Sequence, residues 1–197
     1  MSPSEAAVVA IEAVQERHFA ELARLQKDFL KSKVMCCCIP IGVFVNEADV
    51  RKAFHKCPEM MKVTAVALVE DQVVGFIQVI LHGMPCEKHS VEKGEAYVYM
   101  IAVDPDARGM GIGSKLLDWA DEIGRQHGCE KMSLEVLGGN KAIGLFERKG
   151  YSAQPASCFS LPAMLLFVSC CAGLRIHPSG SSPYWTYGKA IWMVKEL

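Results

Sequence analysis

The sequence predicts an α/β domain with a mixed β-sheet, in which parallel and antiparallel strand pairs occur together. Two observations predict this class. Apolar, β-branched runs of strand length are joined in some places by short polar reversals and in others by amphipathic helical segments, so both hairpins and crossovers are expected. The chain also has 197 residues, of which 51% are hydrophobic, and this is enough for one ordinary domain with a sizeable core.

The predicted order of elements is β-α-α-β-β-β-α-β-α-β. In chain order, these strands and helices are predicted at 6–14, 16–30, 46–57, 63–69, 73–81, 96–103, 114–127, 131–137, 140–150 and 184–197. The first helix is predicted because Phe19, Leu22 and Leu25 fall near one helical face. Asn46 is the expected N-cap of the second helix, and Pro58 stands just beyond its end.

Composition and charge argue against several classes of function. The formal net charge is −1, whereas a nucleic-acid-binding domain is usually basic, so no nucleic-acid partner is expected. Residues 1–20 lack the basic start and the unbroken apolar run of a signal peptide, and their three glutamates argue against a transit peptide. The chain is therefore expected to be cytoplasmic.

The cysteines predict reduced thiols and no metal site. There are nine of them, scattered apart from the run Cys36–Cys38, and no C-x-x-C pair occurs. An odd number of scattered cysteines is typical of a reducing compartment rather than of a disulfide framework. The histidines and cysteines also lack the spacing of zinc ligands.

The segment VDPDARGMGIGSKLLDWA (103–120) carries the strongest functional signal. Gly109, Gly111 and Gly113 alternate between a predicted strand and a predicted helix. Successive backbone N–H groups at a helix start bind anions with the help of the helix dipole, and glycine lets the backbone approach a pyrophosphate closely. Arg108 adds a charge-assisted contact, and Ser114 can cap the helix or donate a hydrogen bond. This segment therefore predicts a phosphate-binding cradle.

Two common phosphate-binding motifs do not fit the spacing of these glycines. The dinucleotide fingerprint requires G-x-G-x-x-G, and the ATPase loop requires G-x-x-x-x-G-K-[ST]. Here the glycines follow G-x-G-x-G, and a polar DPDAR separates them from the strand. By contrast, RGMGIG at Arg108–Gly113 matches the R/Q-x-x-G-x-G/A motif that binds the coenzyme A pyrophosphate in the GNAT superfamily of N-acetyltransferases.

The surroundings of the motif resemble the same family. AYVYMIAVDPDARG resembles the family's fourth strand and its exit, and LEVLGGNKAIGLFERKGY resembles the next strand, an asparagine and a helix ending in a Gly-aromatic pair. The resemblance is strong over 63–151, and for 6–62 it is weaker but consistent in order. It implies a GNAT fold, with a mixed central sheet of six to seven strands, about four helices and a V-shaped splay between strands four and five. It also implies a single domain over 1–197 with a divergent apolar insertion at about 152–183.

The resemblance further implies that the chain binds acetyl-CoA as a co-substrate and uses no metal. The pantetheine would enter the splay and pair with the main chain of the fourth strand, where the N–H of Ile101 is the candidate oxyanion donor. Asn140 matches an asparagine that contacts the cofactor, and it also fits a plain N-cap of the last helix. The residues expected around the cofactor are Ile101, Ala102, Val103, Arg108, Gly109, Met110, Gly111, Ile112, Gly113, Ser114, Asn140 and Phe146.

In such a reaction the amine must be neutral to attack the thioester, and a base is therefore expected. Tyr97 and Glu135 are the candidates, because Tyr97 resembles the fourth-strand position where some family members carry a catalytic Glu or Tyr, and Glu135 is expected opposite it on the fifth strand. Tyr99 is the alternate, because simple alternation puts Tyr97, Tyr99, Ile101 and Val103 on one face of their strand. Many family members carry a proton-donating tyrosine where this chain has Phe146, which puts a side-chain general acid in doubt. A non-catalytic acyl-CoA-binding or sensing module on the same fold is the alternative function.

The expected partner is a primary amine acceptor. A protein N-terminus or lysine is slightly favoured, because the sequence around Tyr97 resembles the amino-terminal acetyltransferase branch, and a small amine is the alternative. The protein itself is expected to be a monomer or a homodimer.

The apolar run 161–174 is shorter than the ~20 residues of a membrane span. It predicts a buried strand near 164–170 and a loop that lines the acceptor pocket. The alternative is a membrane-surface contact made through S-acylation, together with Cys36–Cys38.

Overall fold

The structure is a computed structural model that describes residues 8–33, 46–85, 91–154 and 188–197. Over these residues the chain forms seven strands and four α-helices. The strands are β1 (Val9–Ala13), β2 (Thr64–Val69), β3 (Gln72–Leu81), β4 (Glu95–Val103), β5 (Lys131–Gly138), β6 (Ser152–Ala153) and β7 (Gly188–Glu196). The helices are α1 (Phe19–Lys33), α2 (Glu47–Lys56), α3 (Ile112–Gln126) and α4 (Ile143–Arg148).

The strands of this described part form one sheet in the order β1-β2-β3-β4-β5-β7-β6. β4 and β5 run parallel, and the other neighbouring pairs are antiparallel. The predicted mixed sheet and the numbers of strands and helices are therefore confirmed. β6 was not predicted; it has only two residues, and a strand of that length has no periodicity by which a sequence reveals it.

Helices cover both faces of the sheet, but not evenly. On one face, Leu116 of α3 and Phe146 of α4 share a buried core cluster with Met132 of β5. On the other face, α1 and α2 pack over β2 and β3, and the rings of Phe19 and Phe54 stack with their centroids 5.0 Å apart. That second cluster contains no described residue of β5 or β7, so the cores of α1 and α2 do not extend over these two strands.

β4 and β5 separate halfway along their length. They pair only from Glu95 to Val98 on β4 and from Lys131 to Leu134 on β5. β4 nevertheless continues to Val103 and β5 to Gly138. The predicted splay between the fourth and fifth strands is therefore present, and it opens toward the loop that carries the glycines.

A β-bulge interrupts β4 where the splay begins. Gln78 of β3 pairs with Met100, and the next residue of β3 pairs with Val98, so Tyr99 is an extra residue on β4. Beyond the bulge, Ile101 packs against the core cluster that contains Val98, while Tyr97 and Tyr99 belong to a separate cluster on the other face. The expectation that Tyr97, Tyr99 and Ile101 share one face is therefore wrong, because the bulge adds half a period to the alternation.

The helix ends agree with the sequence in part. Asn46 caps α2 as predicted, because its side-chain oxygen accepts the N–H of Asp49 at 3.0 Å. α3 begins two residues earlier than predicted, at Ile112, so Ser114 lies inside the first turn and does not cap the helix. α4 is shorter than the predicted 140–150, because Asn140 and the residues after it form a turn before the helix starts.

Several predictions fall outside the described residues: the strand near 164–170, the loop of the run 161–174, and Cys36–Cys38. In the ranges that are described, no helix has the length and apolar character needed to cross a membrane, and no three His, Cys, Asp or Glu side chains form a group suited to a metal ion. Cys57 is buried and disulfide-bonded, so the prediction of reduced thiols is wrong at this position.

Candidate functional site

The glycine segment forms an exposed loop and the first turn of α3. Gly109 and Gly111 have φ angles of +88° and +75°, a left-handed conformation that side chains with a Cβ adopt reluctantly. A Cβ at either position would meet no atom within 4 Å, so open space lies above the backbone. Backbone conformation therefore requires these two glycines, and the loop leaves room for a ligand.

The start of α3 presents backbone donors to that space. Gly111 is the N-cap, no side chain caps the helix, and its carbonyl oxygen accepts the N–H of Lys115 at 3.1 Å. The N–H groups of Ile112, Gly113 and Ser114 precede this first helical bond and have no partner within the helix. Three adjacent N–H groups and the positive end of the helix dipole suit a pyrophosphate.

Gly113 has a different role from the other two glycines. A Cβ at this position would lie 2.9 Å from Cδ2 of Leu145 and 4.0 Å from Cγ2 of Val103. The absence of a side chain therefore lets the first turn of α3 pack closely against α4 and the end of β4.

Two exposed side chains, Arg108 and Met110, flank the donors of the cradle. Asp104 lies just upstream and accepts a hydrogen bond of 2.7 Å from Arg24 of α1. This hydrogen bond holds the pKa of the Asp104 carboxyl below its usual value, and the charge of Arg108 acts in the same direction. The connection between β4 and the cradle is thus tied to α1 by an ion pair.

Asn140 and Phe146 lie on the α4 side of the splay. The side-chain oxygen of Asn140 accepts the N–H of Ala142 at 2.9 Å and stabilises the turn before α4. Phe146 is only 4% exposed and contacts Tyr151 edge to face, with ring centroids 6.1 Å apart. Phe146 is therefore a core residue at the position where an acid was sought, and it has no proton to give.

The predicted catalytic pair lies together on the face that α1 and α2 leave uncovered. Tyr97 pairs with Ser133 of β5, and Glu135 is two residues further along β5 on the same face. Glu135 is exposed and pairs in register with Trp192 of β7. The indole of Trp192 stacks on the ring of Tyr97, with centroids 5.5 Å apart and planes inclined by 8°. The stacked rings of Tyr97 and Trp192 and the carboxylate of Glu135 thus lie together where the splay begins.

The environment of Tyr97 sets its protonation state. Burial raises the pKa of Tyr97 well above its ordinary value, and the negative charge of Glu135 and the neighbouring Tyr99 and Glu95 raise it further. Tyr97 therefore keeps its proton at neutral pH. As a neutral phenol Tyr97 can donate a hydrogen bond, whereas the exposed side chain of Glu135 is a carboxylate, a type of group that can accept a proton.

Sequence reasoning missed Trp192. The last strand was predicted, but a side chain that reaches across β5 to Tyr97 is found only once the register of β7 is known. A usable signal was present, since Trp192 is a large aromatic residue that alternates with Ile191 and Met193, both of which pack into the core.

Solved structures share this fold. A ribosomal-protein-alanine N-acetyltransferase from Brucella melitensis superposes with a TM-score of 0.65 at 18% identity, covering 95% of this chain and 99% of that one. A protein from Salmonella typhimurium, solved with its cofactor acetyl-CoA, also gives a TM-score of 0.65, at 15% identity, covering 96% of this chain and 94% of that one. At such identities the likeness concerns the fold alone.

The sequence relatives are acetyltransferases, and they match over segments of 56 to 109 residues. A thialysine N-epsilon-acetyltransferase from Bos taurus is 36% identical over 74 residues, which are 36% of this chain and 44% of that protein. The chain spans less than half the length of the first curated relatives that it matches. The sequence model of the acetyltransferase (GNAT) family matches residues 30–151, which include the cradle, the splay and the candidate base. Because this match covers more than half of the chain, the chain belongs to the acetyltransferase (GNAT) family.

Proposed function

We propose that this protein is an acetyl-CoA-dependent N-acetyltransferase that acetylates a primary amine by direct attack of the amine on the thioester. One observation carries the proposal: the splay of β4 and β5 opens at the same end of the sheet as the left-handed glycines and free N–H groups at the start of α3. A cofactor with a pyrophosphate at one end and a reactive thioester at the other matches both features.

In this proposal the pyrophosphate binds the N–H groups of α3, with Arg108 as a secondary cationic contact. The pantetheine arm lies along β4 beyond Val98, where β5 no longer pairs with that strand. The pantetheine then takes the place of the missing strand neighbour and pairs with the main chain of Ile101, Ala102 and Val103. Asn140, in the turn before α4, borders the same space.

The transfer step follows from this placement. The amine nitrogen attacks the carbonyl carbon, a C–N bond forms, and negative charge develops on the carbonyl oxygen, where the N–H of Ile101 stabilises it. The C–S bond then breaks and the thiolate leaves. A thiol with a pKa near ~8.5 leaves without full protonation, which is consistent with Phe146 in place of an acid.

We assign Glu135 as the base that accepts the amine proton through water, with Tyr97 as a neutral partner that orients that water. Glu135 is exposed at the entrance of the splay, and Tyr97 holds its proton at neutral pH. The Glu135 carboxylate is therefore the group that can accept a proton, and the Tyr97 phenol is the group that can donate a hydrogen bond.

The proposed acceptor is a protein N-terminus, a lysine side chain or a small amine. The similar proteins include a ribosomal-protein-alanine N-acetyltransferase and a thialysine N-epsilon-acetyltransferase, so both the peptide and the small-molecule class of acceptor occur among proteins of this kind.

The decisive test incubates the purified protein with acetyl-CoA and a panel of peptides and small amines, and measures thiol release together with acetylated products by mass spectrometry. The expected result is acceptor-dependent thiol release. Binding of acetyl-CoA by calorimetry without transfer to any acceptor would instead indicate the acyl-CoA-binding module that Phe146 leaves as the rival function. Failure to bind acetyl-CoA would contradict both.

A further inference from the structure

The side chains at the entrance of the splay carry an inference about which amines the site accepts, and this inference rests on the proposed function. Trp192 is 38% exposed although one face of its indole is covered by Tyr97. Glu135 stands directly opposite Trp192 in the register of β5 and β7. An exposed indole beside an exposed carboxylate is a pairing that binds organic cations, because both groups attract positive charge.

A lysine on the same face of β5 lies too far from Glu135 to offset the negative charge of its carboxylate. Lys131 is on the same face of β5, but it is four residues away, which is about 13 Å along a strand. Its ammonium donates a hydrogen bond of 2.6 Å to Glu92 and lies 3.9 Å from Glu95. An acceptor carboxylate close to Glu135 would therefore meet a like charge that Lys131 lies too far away to offset.

We propose that Trp192 and Glu135 select primary amines whose amine-bearing carbon carries no carboxylate. A peptide N-terminus and an unbranched alkylamine both satisfy this condition, since each presents an aminium group on an uncharged chain. A free α-amino acid does not, because its carboxylate is brought against Glu135 when its amine reaches the thioester. Trp192 acts as the specificity residue, against which the chain next to the amine lies.

The inference is tested with a matched pair of acceptors, leucinamide and leucine, which differ in that carboxylate. In the wild-type protein, kcat/KM is expected to favour leucinamide by about tenfold or more. Glu135→Gln is expected to narrow this preference by about threefold, because the removed charge is exposed and partly screened. The comparison uses a ratio of two acceptors, so a general loss of base catalysis in Glu135→Gln cancels.

Two further variants separate the roles of charge and ring. Trp192→Ala is expected to raise the KM for leucinamide about tenfold while the KM for acetyl-CoA stays unchanged, and Trp192→Phe to restore most of the loss. Glu130→Gln is the matched control: Glu130 is an exposed carboxylate just before β5, and its loss should leave the preference as in the wild type. Parallel assays with a tetrapeptide amide and with pentylamine show whether the site prefers a peptide N-terminus or an unbranched alkylamine.

The inference is overturned if leucine matches leucinamide in the wild type, or if Glu135→Gln preserves the wild-type preference. The selectivity can also be measured without turnover, by calorimetric titration of leucinamide and of leucine into the complex with coenzyme A. Equal affinities for the two compounds would overturn the inference. The protein could fail to acetylate every amine and still bind leucinamide better than leucine. That result would contradict the proposed activity and support the proposed selectivity.

Discussion

The two ends of the β4–β5 pair differ in nearly every physical property. At the closed end, Glu95–Val98 pairs with Lys131–Leu134, and the apolar side chains are buried. The buried carboxylate of Glu95 accepts a hydrogen bond from the hydroxyl of Ser133 and another, of 3.1 Å, from the N–H of Glu92. At the open end, Tyr99–Val103 and Glu135–Gly138 do not pair with each other, and the β4 residues are only half-buried.

The difference shows how one pair of strands serves two purposes. At the closed end the two strands pair through their backbones and the buried Glu95 carboxylate is hydrogen-bonded within the protein, which stabilises the fold. At the open end β4 still pairs with β3 but has no strand neighbour on the β5 side, so the backbone groups that point to that side are available to a ligand. Substitutions at the open end, and of Tyr97 and Glu135 where the splay begins, should therefore affect binding and rate, whereas substitutions in the buried Glu95–Ser133 pair of the closed end should affect stability.

The largest expected effect is on cofactor binding. Gly111→Asp places a carboxylate where the pyrophosphate is proposed to lie, and we expect coenzyme A affinity to fall by about 100-fold or more, since several charge-assisted hydrogen bonds are weakened together. Asp tolerates the left-handed conformation, so circular dichroism should show an intact fold. Calorimetry measures the affinity.

Gly128→Asp is the matched control for this change. Gly128 lies just beyond the other end of α3, with φ +69° and open space around it. An aspartate at this position therefore has the same backbone strain as one at Gly111, but far from the cradle. Coenzyme A should bind this variant as it binds the wild type. Unchanged affinity in Gly111→Asp would remove the cradle from the site.

The next effect is on turnover. Glu135→Gln is expected to lower kcat by about 10- to 100-fold with little change in the KM for acetyl-CoA, because a base acts in the transition state. Tyr97→Phe should have a smaller effect of the same kind, and the double variant should cost less than the product of the two. The rate should rise with pH until the amine itself is neutral, and the variants should need higher pH to recover. Wild-type rates in both single variants across that range would mean that the proton leaves by another route.

A change at the closed end should spare function and weaken the fold. Ser133→Ala removes the hydroxyl that donates to the buried Glu95 carboxylate and is expected to lower the free energy of unfolding by about 1.5 kcal/mol. Denaturant unfolding measures this loss, and coenzyme A affinity at low denaturant should not change. Ser152→Ala, at an exposed serine of β6, is the control and should cost much less. A loss of cofactor affinity in Ser133→Ala would mean that the two ends are not independent.

The smallest expected effect lies away from the splay, on the face covered by α3 and α4. The hydroxyl of Tyr151 is buried and has no hydrogen-bond partner among the described residues, so Tyr151→Phe should leave the free energy of unfolding at pH 7 unchanged or raise it by less than ~1 kcal/mol. Burial, with the charge of Asp121, raises the pKa of Tyr151. An acidic group whose pKa is higher in the folded state makes its full contribution to stability at pH values below its unfolded pKa of ~10. That contribution is lost as the pH rises further. The variant should therefore lose less stability than the wild type between pH 9 and pH 11, as measured by unfolding at each pH, and equal losses would contradict the assignment.

Much of the fold could be predicted because local sequence patterns indicate its helices and strands. The apolar spacing of Phe19 and Leu22 indicates a helix, and the alternate glycines mark the start of α3. The bulge could not be predicted, because every residue of the run AYVYMIAV is apolar and no polar side chain shows which face each residue takes. Simple alternation then assigned Ile101 to the wrong face.

The candidate site was predictable to the extent that it depends on backbone and motif. Gly109 and Gly111 were grouped with Gly113, and only three-dimensional contacts separate the two conformational glycines from the packing glycine. Trp192 depends on the register between β5 and β7, which is a long-range property. Phe146 was correctly read as a residue that cannot donate a proton, because that conclusion needs only its side-chain chemistry.

The bulge at Tyr99 has a consequence that is best expressed in genetic terms. It amounts to one codon, since a β4 shorter by Tyr99 would keep Val98 and Met100 opposite their present partners on β3, would pair without interruption, and would leave Ile101 on its present face. Point substitutions can adjust the charge and size of the groups around the splay. Only a change in the length of the chain can remove the bulge, so insertions and deletions, rather than substitutions, are the changes that would alter the course of β4 where the splay begins.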